Sequence, residues 1–267
     1  MALYRSIIGI ILTTMFSFSA ISQHIEPKPI MGQKVFKQFI KTHIDYPEKD
    51  YQLKIQGTVV IEFTVDPLGN VTNYSISQHV SDAIDSVAIV IFKLVLWKPA
   101  TSYGKQVKGT AEFEIKYNVK SYNKIVKRRG YNHITPPNYT IDNTGKMYSL
   151  KQLDTIPHAI LPSGTKSVSS YIYKNLTYPD AAAKLALSGK VELSFIIETN
   201  GLPSNIIVTK HLGGGCTEEA IRIIETIKWQ PGVLNNQAVR TQYAIPINFK
   251  KGDGRDGHIP NQQGSGI

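Results

Sequence analysis

Two stretches of this chain alternate apolar and polar residues with a period of two, and each is followed by a stretch of helical period. Val59, Ile61, Phe63 and Val65 take one face of the first stretch, with Thr58, Glu62 and Thr64 on the other. That is the pattern of a half-buried strand. The later inward set is Val191, Leu193, Phe195 and Ile197. Each strand meets a turn, Asp66-Pro67-Leu68-Gly69 or Glu198-Thr199-Asn200-Gly201, with glycine at the matched place. A second strand follows, through Tyr74 and Ile76 or Ile206 and Val208. Next comes an amphipathic helix. Asp85 and Thr217 are its expected N-caps, and Ile84 with Ile89 and Cys216 with Ile221 its expected hydrophobic staples. The inward stripes are Ala88, Ile91 and Val95, and Ala220, Ile223 and Ile227. Each helix must stop before Pro99 or Pro231, because the residue preceding proline is pushed out of helical angles. Closing strands alternate over Ala111, Phe113, Ile115 and Tyr117, and over Tyr243, Ile245, Ile247 and Phe249. Ahead of the first strands, KVFKQFIKTHI and SVSSYIYKNL read as helices, and DAAAKLAL at 180–187 as a second short helix in the later set.

The recurrence is a tandem duplication at an offset of 132, as from Trp97 to Trp229. At that offset Tyr46-Pro47 falls on Tyr178-Pro179, Gly57 on Gly189, Gly69 on Gly201, Asn73 on Asn205, His79 on His211 and Pro99 on Pro231. Upstream, Gly32 meets Gly164. Two copies make a pair of domains; a solenoid needs at least three. The expected fold class is α+β, with two units that each hold a three-stranded antiparallel sheet with helices on one face. Strands one and two form a hairpin, and a right-handed return places strand three beside strand one, in the order two–one–three. Strand three is then an edge. Pro246, at the position of Glu114, agrees, since proline in a sheet is confined to edges and bulges.

The N-terminus, MALYRSIIGIILTTMFSFSAISQ, has a basic Arg5, an apolar run over 7–21 and small residues Ala20 and Ser22 before Gln23. It reads as a secretory signal peptide over 1–22, cut after Ser22. The alternative is an uncleaved inner-membrane anchor, although the run falls short of the roughly 20 apolar residues that a span needs. The remaining chain divides into a first domain at 26–117, a basic and proline-containing linker at 118–157, a second domain at 158–249 and a disordered tail at 250–267. Lys+Arg outnumber Asp+Glu by 30 to 20. That balance favours anionic partners without naming one. The linker's Lys120, Lys124, Lys127, Arg128 and Arg129 read first as a solvated run, and second as a strip touching an anionic envelope polymer. Cys216 is the only cysteine, so no internal disulfide is available and each unit depends on its packed core.

Catalytic and ligand constellations are thin. His79 and His211 recur because the unit does, and no cysteine or acidic ligand stands at zinc spacing. Gly213-Gly214-Gly215 precedes a helix, but Glu218 and Glu219 in its first turn would repel a phosphate. Cys216 reads as a buried thiol, and Trp97 and Trp229 read as core anchors. No Ser-His-Asp order, phosphate-binding loop or carboxylate pair stands out. The expectation is a protein that is not an enzyme and uses no metal or cofactor.

The ordered set of Tyr-Pro, G-x-V-x-x-x-F, a turn glycine, an amphipathic helix, W-x-P and a closing apolar strand resembles the C-terminal domain of TonB, twice over. Here these are Tyr46-Pro47, Gly57 to Phe63, Gly69, Trp97 to Pro99 and the strand ending at Tyr117, and then their counterparts up to Phe249. The resemblance covers about two thirds of the chain. It implies a periplasmic module, linked to TonB-dependent transport, that grips an extended segment of an outer-membrane receptor or another envelope protein. Such a module adds the segment to an exposed sheet edge. The residues it would use are Thr110, Glu112, Glu114 and Lys116 in the first unit, and Gln242, Ala244 and Asn248 in the second. Self-association through the same edges is a further expectation; nucleic acid is not an expected partner. The other reading is a structural envelope protein with no energy-transducing role. The family's transducers carry a histidine in the anchor and a long proline-rich spacer, whereas residues 1–23 hold no histidine and about ten residues separate the apolar run from Gly32. Those span at most roughly 35 Å.

Overall fold

The computed structural model of the protein describes residues 24–131 and 139–250. The expected cleavage after Ser22, Pro136-Pro137 and the tail beyond Lys250 lie outside the described residues. The first unit opens with β1 (His24–Ile25) and β2 (Lys28–Pro29), then α1 (Gly32–His43) and the short α2 (Glu48–Gln52). The hairpin β3 (Gly57–Val65) and β4 (Val71–Gln78) leads into α3 (Asp82–Leu94). Then come β5 (Trp97–Lys98), β6 (Ala100–Ser102), β7 (Lys105–Val107), the closing strand β8 (Gly109–Tyr117) and α4 (Val119–Arg129). The main sheet has the order β4-β3-β8, with both pairings antiparallel. Short pairings of β2 with β5, and of β6 with β1 and β7, tie the ends down.

The connecting segment carries β9 (Thr140–Ile141), β10 (Met147–Tyr148), a 3-10 turn at Leu150–Gln152 and β11 (His158–Ile160). The second unit continues with α5 (Val168–Asn175), α6 (Asp180–Lys184), β12 (Gly189–Ile197), β13 (Pro203–Lys210) and α7 (Cys216–Thr226). It ends with β14 (Lys228–Gln230), β15 (Gly232–Leu234) and β16 (Gln237–Phe249).

Period-two strands and period-3.6 helices bury the same matched positions in both cores. In the first, Val59, Ile61, Phe63 and Val65 meet Ala88, Ile91 and Val95 beneath Phe113, Ile115 and Tyr117. In the second, Val191, Leu193, Phe195 and Ile197 meet Ala220, Ile223 and Ile227 beneath Ile247 and Phe249. Trp97 and Trp229 are buried core residues. The Trp97 ring lies 4.3 Å from that of Phe63, and the Trp229 ring 5.0 Å from that of Tyr243.

Each recurring motif has a packing reason. The Tyr46 hydroxyl donates to the Ile55 carbonyl and the Tyr178 hydroxyl to the Leu187 carbonyl, closing the short-helix loop onto the start of the first long strand. Pro47 and Pro179 stand just before those short helices in extended angles that proline prefers. Gly69 and Gly201 have φ of +92° and +77°, and a Cβ there would meet the Trp97 or Trp229 carbonyl oxygen at 2.8 or 2.0 Å. In the second unit the Trp229 N–H also donates to the Gly201 carbonyl at 2.9 Å. The turn glycine and the W-x-P segment therefore form one structural unit.

Four expectations are corrected. The helices begin earlier than expected, at Asp82 and Cys216, with Ser81 and Gly215 as N-caps. Ile84 and Cys216 consequently lie inside their helices, and neither staple forms. Asp85 and Thr217 still share one task. Asp85 accepts from the Val80 N–H, and the Thr217 hydroxyl oxygen from the Leu212 N–H, so each side chain ties strand two to its helix. The short helix expected only in the later copy occurs in both, as α2 and α6.

The third correction concerns the basic run from Lys120 to Arg129, which is not a wholly solvated strip. Asn118 caps α4 through the Ser121 N–H, and Val119, Tyr122, Ile125 and Val126 pack on the first core. Arg129 turns inward from the basic run and donates to the Thr42 and Ile44 carbonyls. The fourth concerns the second sheet, which is not three-stranded. It has the order β10-β16-β12-β13, with β9 and β15 also on β16.

Candidate functional site

The residues expected to bind lie on β8 and β16. On β8, Phe113, Ile115 and Tyr117 are buried, while Thr110, Glu112, Glu114 and Lys116 are exposed on the opposite face. Main-chain directions follow from two hydrogen bonds across the hairpin. Ser77 and Thr72 of β4 donate to the carbonyls of Val60 and Thr64, so those two residues turn their main-chain groups toward β4. Their partners on β8 are Glu114 and Thr110. Opposed residues of a non-hydrogen-bonded antiparallel pair turn their N–H and C=O away from each other. Thr110, Glu112, Glu114 and Lys116 thus direct both groups outward, and among the described residues β8 has no ladder partner except β3.

In the second unit the parity is the same and the occupancy differs. Thr209 donates to the Glu192 carbonyl, and Glu192 opposes Pro246, so Pro246 and its alternate neighbours face outward. The first part of that edge is taken. β9 runs parallel to Gln237–Ala238 and β10 parallel to Arg240–Thr241, and the Asp142 N–H donates to the Ala238 carbonyl at 3.0 Å. The connecting segment has added itself to this sheet. Gln242, Ala244 and Asn248 lie beyond it and are exposed, with Pro246, which has no N–H, in the middle. The structure brings the four residues of β8 into one continuous outer ladder. The three of β16 form a shorter, interrupted one.

The units meet at a buried polar network that the sequence pattern did not mark. Arg240 pairs with Glu198 at 2.8 Å, the two side chains only 8% and 1% exposed. Ser204 donates to Glu198. Arg240 and Asn205 both donate to the Leu94 carbonyl of the first unit, and Asn205 accepts from the Leu96 N–H at 2.9 Å. The charges are tolerated in the interior because each meets a partner and a main-chain group. Helix α1 covers the same junction, with Val35 packing on both cores.

Glu225 lies at this junction, and burial pushes its carboxyl up to about 8, with Lys41 of α1 drawing it down. The folded state therefore holds a proton that the unfolded chain has released above its ordinary value of 4.5. Stability linked to Glu225 is complete below that value and is lost as pH rises through about 8. Glu225→Gln is expected to raise stability at pH 8.5, by at most about 5 kcal/mol, and to leave it nearly unchanged at pH 4.5. Urea denaturation of both proteins at the two pH values measures this; an equal shift at both would remove the titration from the account.

The other sequence candidates have structural partners. His79 bonds Asp85 through Nδ1, at the base of α3. Among the described residues no cluster of histidine, cysteine and acidic side chains could hold a metal. Cys216 is buried, and burial pushes its thiol up. Gly214 and Gly215 have positive φ and lie against Ala182 and Pro179, where side chains would collide or crowd. Among the described residues no helix is long and apolar enough to cross a membrane. Residues 42–119 and 174–250 each match the family model described as Gram-negative bacterial TonB protein C-terminal, together more than half of the chain. No curated protein matches the chain.

Proposed function

Since the chain belongs to the family of Gram-negative bacterial TonB protein C-terminal domains, we propose that it captures an extended segment of an outer-membrane receptor, or of another envelope protein, by strand addition at β8. The carrying observation is the outer ladder of Thr110, Glu112, Glu114 and Lys116 on a strand paired on one side only. Such an edge offers unmet N–H and C=O groups to an incoming chain. Main-chain bonds would supply affinity, and the alternation of Glu112, Glu114 and Lys116 would bias the choice of ligand by charge. The second unit is the weaker acceptor, because the connecting segment fills part of its edge and Pro246 removes a donor from the rest. In this reading the protein is periplasmic, is linked to TonB-dependent transport and acts by binding, without catalysis.

Glu114→Pro tests it. The substitution removes an outward N–H and leaves the ladder to β3 and the core face of Phe113 and Ile115 intact. One lost hydrogen bond is worth about 1 kcal/mol, or roughly fivefold in affinity. Synthetic peptides copied from the N-terminal segments of outer-membrane receptors of the same cell are the probes, read by fluorescence anisotropy on the full chain. The expected result is weaker binding with a nearly unchanged melting temperature. Undiminished binding would rule out capture at this edge.

A further inference from the structure

The two units are covered differently at matched positions. Val71, Thr72, Asn73 and Tyr74 are exposed on β4, whereas Pro203, Ser204, Asn205 and Ile206 are all buried on β13. The first unit itself makes the difference. Its helix α1 lies on β13, Asn205 holds the main chain of Leu94 and Leu96, and Val35 reaches the second core. Charges align along the same contact. Lys34 approaches Glu218 at 3.6 Å, and Lys41 acts on Glu225, seven residues further along both helices. The cleft between α7 and β13 therefore holds a basic amphipathic helix.

The matching cleft of the first unit, between α3 and β4, is open. It encloses about 500 Å³ lined by Asn73, Tyr74, Phe92, Lys93 and Leu96 among others. Its chemistry is reversed. Ser86, Val90 and Lys93 stand where the second unit has Glu218, Arg222 and Glu225. Val90 is 60% exposed, and the Lys93 ammonium sits 5.6 Å from the centre of the half-exposed Tyr74 ring.

We propose that this α3/β4 cleft is a second docking surface, which takes an amphipathic helix of a partner protein with an apolar stripe and a carboxylate at the place of Lys41. An apolar stripe suits Val90 and Tyr74, and a carboxylate suits Lys93, as Lys41 suits Glu225. A second copy of this chain fits less well. Its α5 repeats α1, but Ser167 stands in place of Val35, Tyr173 in place of Lys41, and α5 has no acidic residue. The surface lies on the sheet edge opposite β8, so the strand-capture reading and this one can fail separately.

The test uses the ¹⁵N-labelled full chain and two synthetic peptides of residues 30–45, one of native sequence and one with Lys34→Glu and Lys41→Glu. The acidic peptide is expected to shift the amides of Asn73, Tyr74, Val90 and Lys93, and not those of Thr110–Lys116. Lys93→Glu in the protein is expected to weaken the acidic peptide about tenfold or more and to make the native peptide the better ligand. The proposal falls if neither peptide moves the α3/β4 amides, if the shifts fall on β8, or if Lys93→Glu changes nothing. It also falls if these amides shift with protein concentration alone, which would assign the cleft to a second copy.

Discussion

Arg240→Leu is expected to destabilise the protein by about 3–5 kcal/mol, the range for stranding one partner of a buried ion pair. Glu198 is 1% exposed and would keep only Ser204 near its charge. The loss reaches across the junction, because Arg240 also donates to the Leu94 carbonyl of the first unit at 2.9 Å. Glu198→Leu combined with Arg240→Leu is expected to recover much of the stability, since apolar replacement of both partners removes the desolvation penalty along with the attraction. Guanidinium denaturation of the two single variants and the double variant forms the cycle. A single-variant loss below 1 kcal/mol, or a double variant as unstable as the sum of the singles, would show that the pair acts through packing and not through charge. The matched residues of the first unit are Asp66 and Lys108. Asp66 spends its carboxylate within its own turn, on the N–H groups of Leu68 and Asn70. The duplicated position became a junction in one copy and a turn in the other.

The second large effect belongs to the turn glycines, and three of them form a graded series. Gly164 has φ of +81° with nothing within 4 Å of an added Cβ, so Gly164→Ala carries the backbone penalty alone, about 1 kcal/mol. Gly69→Ala adds an approach of 2.8 Å to the Trp97 carbonyl oxygen. Gly201→Ala brings Cβ to 2.0 Å from the Trp229 oxygen, which no rotamer can relieve because the main chain alone fixes the position of both atoms. The turn must move away from the tryptophan segment and give up the bond from the Trp229 N–H to the Gly201 carbonyl. The expected loss is about 3 kcal/mol or more, combining strain, a broken hydrogen bond and disturbed core packing. Thermal denaturation should rank the variants Gly164, Gly69, Gly201 in order of increasing damage. If all three cost the same, φ alone sets the need for glycine, and the contact with the tryptophan carbonyl has no energetic weight.

Alternation and repetition were enough to read the duplication, the inward faces of β3, β8, β12 and β16, and the stripes of α3 and α7. A period of two determines which face every residue takes, so Thr110, Glu112, Glu114 and Lys116 could be grouped before any coordinates. The α4 stripe of Val119, Tyr122, Ile125 and Val126 also has helical spacing, but five basic side chains in the same helix, Val119–Arg129, give it the look of a solvated run. Other features depended on the tertiary structure. Strands β9 and β10 are two residues long, too short to alternate, and exist only because β16 offers them an edge. The start of α3 shifted because Ser81 could reach the Ile84 N–H, while Asp85 found better partners in the Val80 N–H and His79. Tyr74 and Ile206 are matched in position, yet Tyr74 is 38% exposed and Ile206 only 3%. Local sequence determines which way a side chain points from its own strand or helix. Whether that face meets water depends on which distant part of the chain comes to rest on it, and for β13 it was the packing of the first unit on the second that decided.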